Sequence, residues 1–570
     1  MKNALVAELL KKIAQLLEIK GELVFKVRAY EKAALVIENL EEDIEDIWKK
    51  GKLDDIPSVG KALTEKISEF LKTGKLQYYE KLKKEVPVNM EELGRVPGLG
   101  PKTILKLYRK YRIKNLKELE NAAKKGKIRQ IEGLGPVVEK NLLKSIEFAK
   151  GSGKRFLLGH ALDIAEQLKL RLKASKDIGK IEIGGSLRRM NETIGDIDLL
   201  ATSNSPQKVM DLFTSMEDVS QVLAKGPTKA SVRLKEGMQA DLRVVDENVY
   251  GAALLYFTGN KQHNIELRKI AIKKGMKLSE YGIFDKKTNR LLAGKTEEEC
   301  YEKLGLRYIE PEIREDDGEI EASLNNKLPK LIDYSDLKCD LQMHTKWSDG
   351  SNTILEMAEA AQKLGHEYIC ITDHIGNFRI ANALDEKRIK KQKKEIDIIN
   401  KKLRGIVVLH GCEVNIKDDG SIDMKDSVLK ELDVVLASIH SGFKNPKDKL
   451  TKRIAKAMEN GNVDIIAHPT GRLLNERPPY DIDFDELVDK AKSTKTVLEI
   501  NAHPNRLDLS YAYAKAALKK GIKLSIGTDS HDVHGLRNYR LGIATARKAW
   551  ARKEDIINTF PLEEMKKHLK

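Results

Sequence analysis

The chain has few of the residues on which secreted or metal-clipped folds depend. Only four of its 570 residues are cysteine (Cys300, Cys339, Cys370 and Cys412), and no two form a CxxC pair. Neither a disulfide framework nor a thiolate zinc finger is indicated, and a reducing, cytoplasmic setting is expected. No apolar run approaches the ~18 residues of a membrane span, so no membrane partner is expected. The opening segment, MKNALVAELLKKIAQLLEIKGEL, reads as an amphipathic helix, not as a cleavable signal. With 33% charged and 41% hydrophobic residues, the chain is neither largely disordered nor collagen-like. Length alone suggests about four domains at ~150 residues each.

What is present is unevenly placed. The formal net charge is +16, and residues 101–150 alone supply +9, from 14 Lys or Arg against 5 Glu. Such clustering points to a polyanion partner. Ten of the twelve histidines follow residue 340, which suggests two chemistries in two halves.

Residues 1–150 show apolar spacing at three and four, broken by short Gly-Pro turns, and read as helices. One pattern occurs three times: Ile56-Pro-Ser-Val-Gly60-Lys, Val96-Pro-Gly98-Leu-Gly100-Pro and Ile131-Glu-Gly133-Leu-Gly135-Pro. A tight glycine turn entering a helix leaves backbone amides free for a phosphate oxygen, helped by the helix dipole. The segments resemble helix-hairpin-helix DNA-binding motifs. The first departs from the pattern, with Ser58 where a glycine is usual.

In residues 181–203, IEIGGSLRRMNETIGDIDLLATS, one strand ends at Gly184-Gly185-Ser186 and another carries Asp196 and Asp198. Residues i and i+2 of a strand share a face, so the two carboxylates lie side by side. That is costly unless divalent cations bridge them, and Mg²⁺ favours a few carboxylates plus substrate phosphates. A third strand brings Asp241 in an otherwise apolar run. Gly185, Ser186 and Arg189 are suited to a triphosphate.

Over residues 1–315 the chain resembles the family X DNA polymerases, of which DNA polymerase beta is the best known. Asp196, Asp198 and Asp241 match that family's metal-binding triad for Mg²⁺ or Mn²⁺, with Asp241 nearest the primer 3′-hydroxyl. Gly195 belongs to the same GDID motif, preceded by Ile194 where the beta-type pattern has serine. Tyr256-Phe257-Thr258-Gly259 matches the segment lining the nucleotide sugar, Asn264 a residue touching the incoming base, and Arg268 one reaching the template. Lys26, Arg28, Tyr30 and Lys32 match the segment that binds a 5′-phosphate at a gap. Lys66 falls on the lysine that forms a Schiff base with an abasic sugar, chemistry that needs a deprotonated amine.

After a polar connector at 316–335 a new rhythm begins. Short apolar strands end in potential ligands: CDLQMHT, YICITDH, VVLHGCEVN, VVLASIHSG, IIAHPT, VLEINAHP and LSIGTDSH. Alternating strands and helices imply a parallel sheet, and seven units a barrel-like α/β domain with its site at the C-terminal strand ends. The candidate ligands are His344, Asp349, His374, Glu413, His440, His468, Asp529 and His531. Mixed imidazole and carboxylate suits Zn²⁺, Mn²⁺ or Fe²⁺. His366, His410, His503, His534 and His568 are read as structural by default, with His503 and His534 close enough to the ligands to participate. Residues 336–570 resemble the PHP (polymerase and histidinol phosphatase) domain, which binds up to three metals that activate water for phosphoester cleavage. The departure is Gln342, where that family's first motif usually has histidine.

The resemblance as a whole is to bacterial and archaeal family X polymerases. It implies a multidomain α+β and α/β chain: a lyase-like helical domain (1–85), helix-hairpin-helix fingers (86–152), a nucleotidyltransferase palm (153–245), a thumb (246–315), the connector, and a (β/α)7-like PHP barrel (336–570). The expected function is short-gap DNA repair synthesis. With it comes a metal-dependent 3′-5′ exonuclease or phosphoesterase, extending to abasic-site cleavage. The expected partners are gapped or nicked double-stranded DNA and deoxynucleoside triphosphates, bound by a monomer. The alternative is a DNA-delivered phosphoesterase with weak or absent polymerase activity.

Overall fold

The computed structural model describes residues 2–38, 40, 44–94, 96, 99–151, 155–377 and 381–570. The chain divides into two compact units, Met1–Lys154 and Arg155–Lys570. Among its described residues the first unit has no strand. Helix Lys61–Thr73 shows how its sequence dictates this. Leu63, Ile67 and Leu71 recur every four residues and are buried, while Lys61, Glu65 and Lys72 face water. Gly60 and Gly100 occupy the N-caps of helices Lys61–Thr73 and Pro101–Tyr111, and Gly135 directly precedes Pro136–Gly151. In the turns before them Gly133 has φ +83° and Ser58 has φ +68°. The serine therefore adopts the left-handed turn usually left to glycine. Gly98 lies outside the described residues.

In the second unit, β1 (Phe156–Leu157) pairs with β3 (Thr193–Ile194). A five-stranded sheet runs in the order β2 (Ile181–Ile183), β4 (Asp196–Thr202), β7 (Gln239–Val245), β6 (Lys229–Leu234), β5 (Val219–Lys225), with only β4 and β7 parallel. Ile197, Leu199 and Ala201 of β4 enter a core shared with helix Leu158–Lys173. On the opposite face Leu200 is covered by Tyr250, Ala253 and Leu254 of helix Tyr250–Thr258. That leaves the outer end of the face to Asp196 and Asp198. Beyond this helix, β8 (Met276–Ser279), β9 (Gly282–Asp285) and β10 (Leu291–Ala293) make an antiparallel sheet.

The segment 316–335, expected as a connector, is folded. Helix Glu319–Leu324 buries Glu319 against His263, whose ring also meets the Tyr301 hydroxyl at 2.8 Å, and Ile332 enters the core of the domain that follows. The polar composition that suggested a spacer serves a buried hydrogen-bond network.

The last domain is a parallel barrel ordered β11 (Cys339–Asp340), β12 (Tyr368–Ile371), β14 (Val407–Asn415), β15 (Val434–Ser438), β16 (Ile465–Ile466), β17 (Val497–Asn501), β18 (Leu524–Gly527). A parallel bridge between Met343 and Ser530, with the His344 N–H donating to the Ser530 carbonyl at 2.8 Å, joins first strand to last. The seven expected units are there. An eighth short strand, β13 (His374–Ile375), was not expected; it continues along the same nine-residue β14 after a break at Thr372-Asp373. Among the described residues no helix is long and apolar enough to cross a membrane.

Candidate active sites

The parallel register of β4 and β7 sets Asp198 directly across from Asp241, with Asp196 across from Gln239. Burial, then the Asp196 and Asp241 charges, push the Asp198 carboxyl up to about 7; burial and Asp241 likewise raise Asp196. Gly185 has φ +62°, and a Cβ there would collide with Asp198 Oδ2. The glycine turn is thus what lets the loop with Ser186 lie against the carboxylates. Gly195, exposed, precedes Asp196. Two cations flank the triad: Lys229 Nζ lies 3.6 Å from Asp241, and Arg155, which bonds Thr193, lowers Asp196. Neither was singled out from the sequence, because each is distant along the chain and lacks a motif. Asp196 and Asp198, held above their ordinary range beside Asp241, fit divalent cations, whose binding removes the repulsion.

Phe257 walls the adjacent cleft under the Arg243 guanidinium, 4.6 Å away, and Tyr256 is edge-on to Phe257 at 5.2 Å. Tyr256, Asn264 and Arg268 line one small pocket. The Asn264 amide donates to the Tyr256 carbonyl at 2.7 Å, and Arg268 Nε to the Asn264 carbonyl at 3.2 Å. Arg189 does not extend into open space. Its guanidinium bonds the Thr258 carbonyl and reaches Glu315 at 3.2 Å, clamping the turn at Gly259. Lys548, 5% exposed, comes from the last long barrel helix, Tyr539–Lys548. It bonds Glu315, the Asn191 side chain at 2.9 Å and the Arg189 carbonyl at 3.3 Å. Arg472 makes a two-pronged pair with Glu192, at 3.0 and 2.7 Å.

In the first unit Lys26, Arg28 and Lys32 are exposed, whereas Tyr30 is buried, its ring stacked 6.4 Å from Tyr78. Lys66 donates to the Ala62 carbonyl at 2.9 Å and sits 5.0 Å over the same Tyr78. Tyr78 thus joins Tyr30 and Lys66; nothing in its local sequence marked it.

At the barrel mouth the eight expected ligands meet. Glu413 lies at the centre: Oε1 is 3.1 Å from His440 Nε2 and 3.0 Å from His468 Nε2, and Oε2 is 3.4 Å from His344 Nε2. His344 Nε2 is also 3.2 Å from Asp529, while Asp349 lies 3.7 Å from His374 and 3.5 Å from His531. Three groups have ligand atoms within 4.8 Å of one another: His344, Asp349, His374 and His531; His374, Glu413 and His440; His344, Glu413 and Asp529. Burial would raise Glu413, but His374, His344, His440 and His468 hold it well below its ordinary range. Both ring nitrogens of fully buried His344 make no hydrogen bond. A buried imidazole with orphaned nitrogens between carboxylates fits metal ions.

Gln342 is buried: its amide donates to Glu413 at 2.9 Å, and its oxygen accepts from Asn501 at 3.1 Å. Asn501 also donates to Asp529 and Glu499. A Cβ on Gly527 would collide with Glu499 and approach Gln342 Cβ to 2.6 Å. Glu499, its carboxyl raised by burial, was missed by sequence reading, although Glu499 and Asn501 share the i, i+2 spacing that marked Asp196 and Asp198. Arg506, 3.3 Å from Asp529, was missed as well.

The palm with its carboxylate triad and the barrel with its histidine cluster define a two-centre phosphoryl-transfer protein. Family models match as DNA polymerase beta thumb at 253–315, helix-hairpin-helix domain at 1–76, SAM-like helix-hairpin-helix tandem at 90–147 and PHP domain at 340–503. The chain is 38% identical over 567 residues, 99% of either chain, to the DNA polymerase/3′-5′ exonuclease PolX of Bacillus subtilis (strain 168). It is 30% identical over 245 residues, 41% of this chain and 95% of the other, to a probable phosphatase of Thermoanaerobacter sp. (strain X514). The chain belongs to the PolX family of DNA polymerase/3′-5′ exonucleases.

Proposed function

We propose that the chain is a DNA-directed DNA polymerase that fills short gaps in DNA repair, with a 3′-5′ exonuclease or phosphoesterase in its barrel. The observation that carries the reading is Asp198 set directly across from Asp241 with the Gly185 turn against it. Asp196, Asp198 and Asp241 would hold Mg²⁺ or Mn²⁺, and the barrel cluster up to three Zn²⁺, Mn²⁺ or Fe²⁺. When bound, such ions neutralise phosphate oxygens and lower the pKa of the attacking hydroxyl or water. Asp241 orients the primer 3′-hydroxyl, and the Gly185–Ser186 backbone and hydroxyl bind the triphosphate. Phe257 and Tyr256 bound the sugar, and Asn264 and Arg268 the nascent pair. In the barrel, Glu413 gathers the His344, His440 and His468 rings around itself, and the ligand atoms fall into three groups at the mouth. The hairpin glycines, with Lys26, Arg28 and Lys32, grip the DNA backbone without reading sequence. Lys66 is the residue for lyase chemistry. We further assign the protein as a cytoplasmic monomer with the domain limits stated from sequence, except that 316–335 is folded against its neighbours and is not a free connector.

The test is a 5′-labelled primer in a short-gapped duplex with Mn²⁺, with and without deoxynucleotides. Templated extension is expected to vanish in Asp241→Ala and shortening to vanish in His468→Ala, each alone. Absence of extension by the wild type would leave a DNA-delivered phosphoesterase.

A further inference from the structure

A groove of about 960 Å³ lies between the palm helix Leu158–Lys173 and barrel loops that follow β17 and β18, at the upper end of the ~300–1,000 Å³ typical of ligand pockets. Buried Leu162 and Leu541 line its base. Its barrel wall carries exposed His534, Arg537 and Arg540 beside half-buried Tyr539, whose ring meets His366 edge-on at 5.7 Å and leaves part of its surface to the groove. Neither guanidinium makes a hydrogen bond or ion pair among the described residues, although the Arg540 charge acts on Tyr334. Elsewhere the same palm–barrel contact pairs its charges, as in Arg472 with Glu192 and Lys548 with Glu315. Here Asp163 and Glu166 line the palm wall, yet neither arginine closes onto them.

The groove adjoins segments that lead to both clusters. At the barrel end, His534 follows the candidate ligand His531 by three residues, and Pro504 precedes Arg506, which touches Asp529. At the palm end, Leu157 is paired with Thr193, three residues before Asp196. An apolar base, an aromatic ring and unpaired arginines along one wall are the features that hold a single strand, phosphates to the cations and bases to the ring. Carboxylates on the other wall would repel phosphate but accept hydrogen bonds from base amino groups.

We propose that this groove carries the unpaired 3′ end of a DNA strand between the carboxylate triad and the barrel cluster. The inference rests on the two-centre reading above. Arg537 and Arg540 are binding residues for the strand's phosphates, and Tyr539 is the stacking surface for its bases.

The test compares wild type with Arg537→Ala/Arg540→Ala on two substrates: a 5′-labelled primer with an unpaired 3′ tail, and bis(4-nitrophenyl) phosphate, a diester too small to need the groove. The ratio of tail shortening to small-diester hydrolysis is expected to fall about tenfold or more, as for the loss of two charge-assisted contacts. An unchanged ratio would overturn the proposal. If wild type cleaves neither substrate, the barrel reading itself fails. A readout without catalysis uses 4-thiothymidine in the tail: crosslinks at Tyr539 or its neighbours support the path, and crosslinks confined elsewhere refute it.

Discussion

The two clusters solve opposite electrostatic problems. In the palm, three like charges are forced together at the open end of a strand pair, and the consequence is an Asp198 carboxyl raised to about 7. In the barrel, carboxylates alternate with imidazoles, and Asp349, at the exposed rim of the mouth, is held at about 2 by His531, His344 and His374 against partial desolvation. The palm site sets carboxylate against carboxylate, whereas the barrel site already sets its carboxylates against imidazoles and Arg506. Protons should therefore relieve the first and injure the second.

The largest expected effect comes from cancelling the palm's repulsion. Asp198→Asn should reduce extension to background in a gapped-primer assay while making the metal-free protein more stable above pH 7. The sign follows from the raised folded pKa: stability from this group is present below about 4 and lost as pH rises toward about 7. Solvent screening leaves about a third of the nominal shift, about 1–2 kcal/mol, readable by thermal unfolding in chelator. In the barrel, Gly527→Ala forces a methyl against Glu499 and Gln342. It should destabilise that domain by about 2–4 kcal/mol and abolish shortening, with extension retained.

Acid should separate the two further. Burial pushes His366 and His410 down to about 4. Both are neutral when folded, so their contribution is intact above ~6.5 and lost as pH falls toward ~4. Thermal unfolding of His366→Phe should show a flatter pH dependence over that window than wild type. Lys548→Met removes a buried tie from the barrel to the Arg189 turn. It is expected to raise the nucleotide KM about tenfold with little change in shortening, and Lys548→Arg should restore part of the loss. The smallest effect on activity is assigned to Arg472→Ala, which takes a buried guanidinium away from Glu192 and the Leu507 carbonyl; it is expected to cost about 2–3 kcal/mol, seen as a fall in unfolding temperature with both activities retained.

Much of this was legible in the chain because strand geometry is local. A two-residue period puts Asp196 beside Asp198, and an apolar strand ending in histidine places that histidine at a barrel mouth. The hairpin turns were equally readable, since a left-handed residue before a helix leaves a glycine signature even where Ser58 replaces it. What could not be read were partners set by pairing across the fold. Lys229 reaches Asp241 only because β6 lies beside β7. Tyr78 receives Lys66 and Tyr30 only because three helices converge there. The segment 316–335 looked like a spacer because buried hydrogen-bonding residues have the same composition as solvated ones; Glu319 is distinguished only by the His263 it meets.

The sequence by itself determined which side chains carry chemistry and on which kind of element each stands, since periodicity and turn stereochemistry act over a few residues. The tertiary structure alone decided the register that sets Asp198 against Asp241, the turning of Arg189 onto Thr258 and Glu315, and the seating of Gln342 between Glu413 and Asn501. These depend on contacts between residues tens to hundreds of positions apart, fixed only when the whole core closes around them.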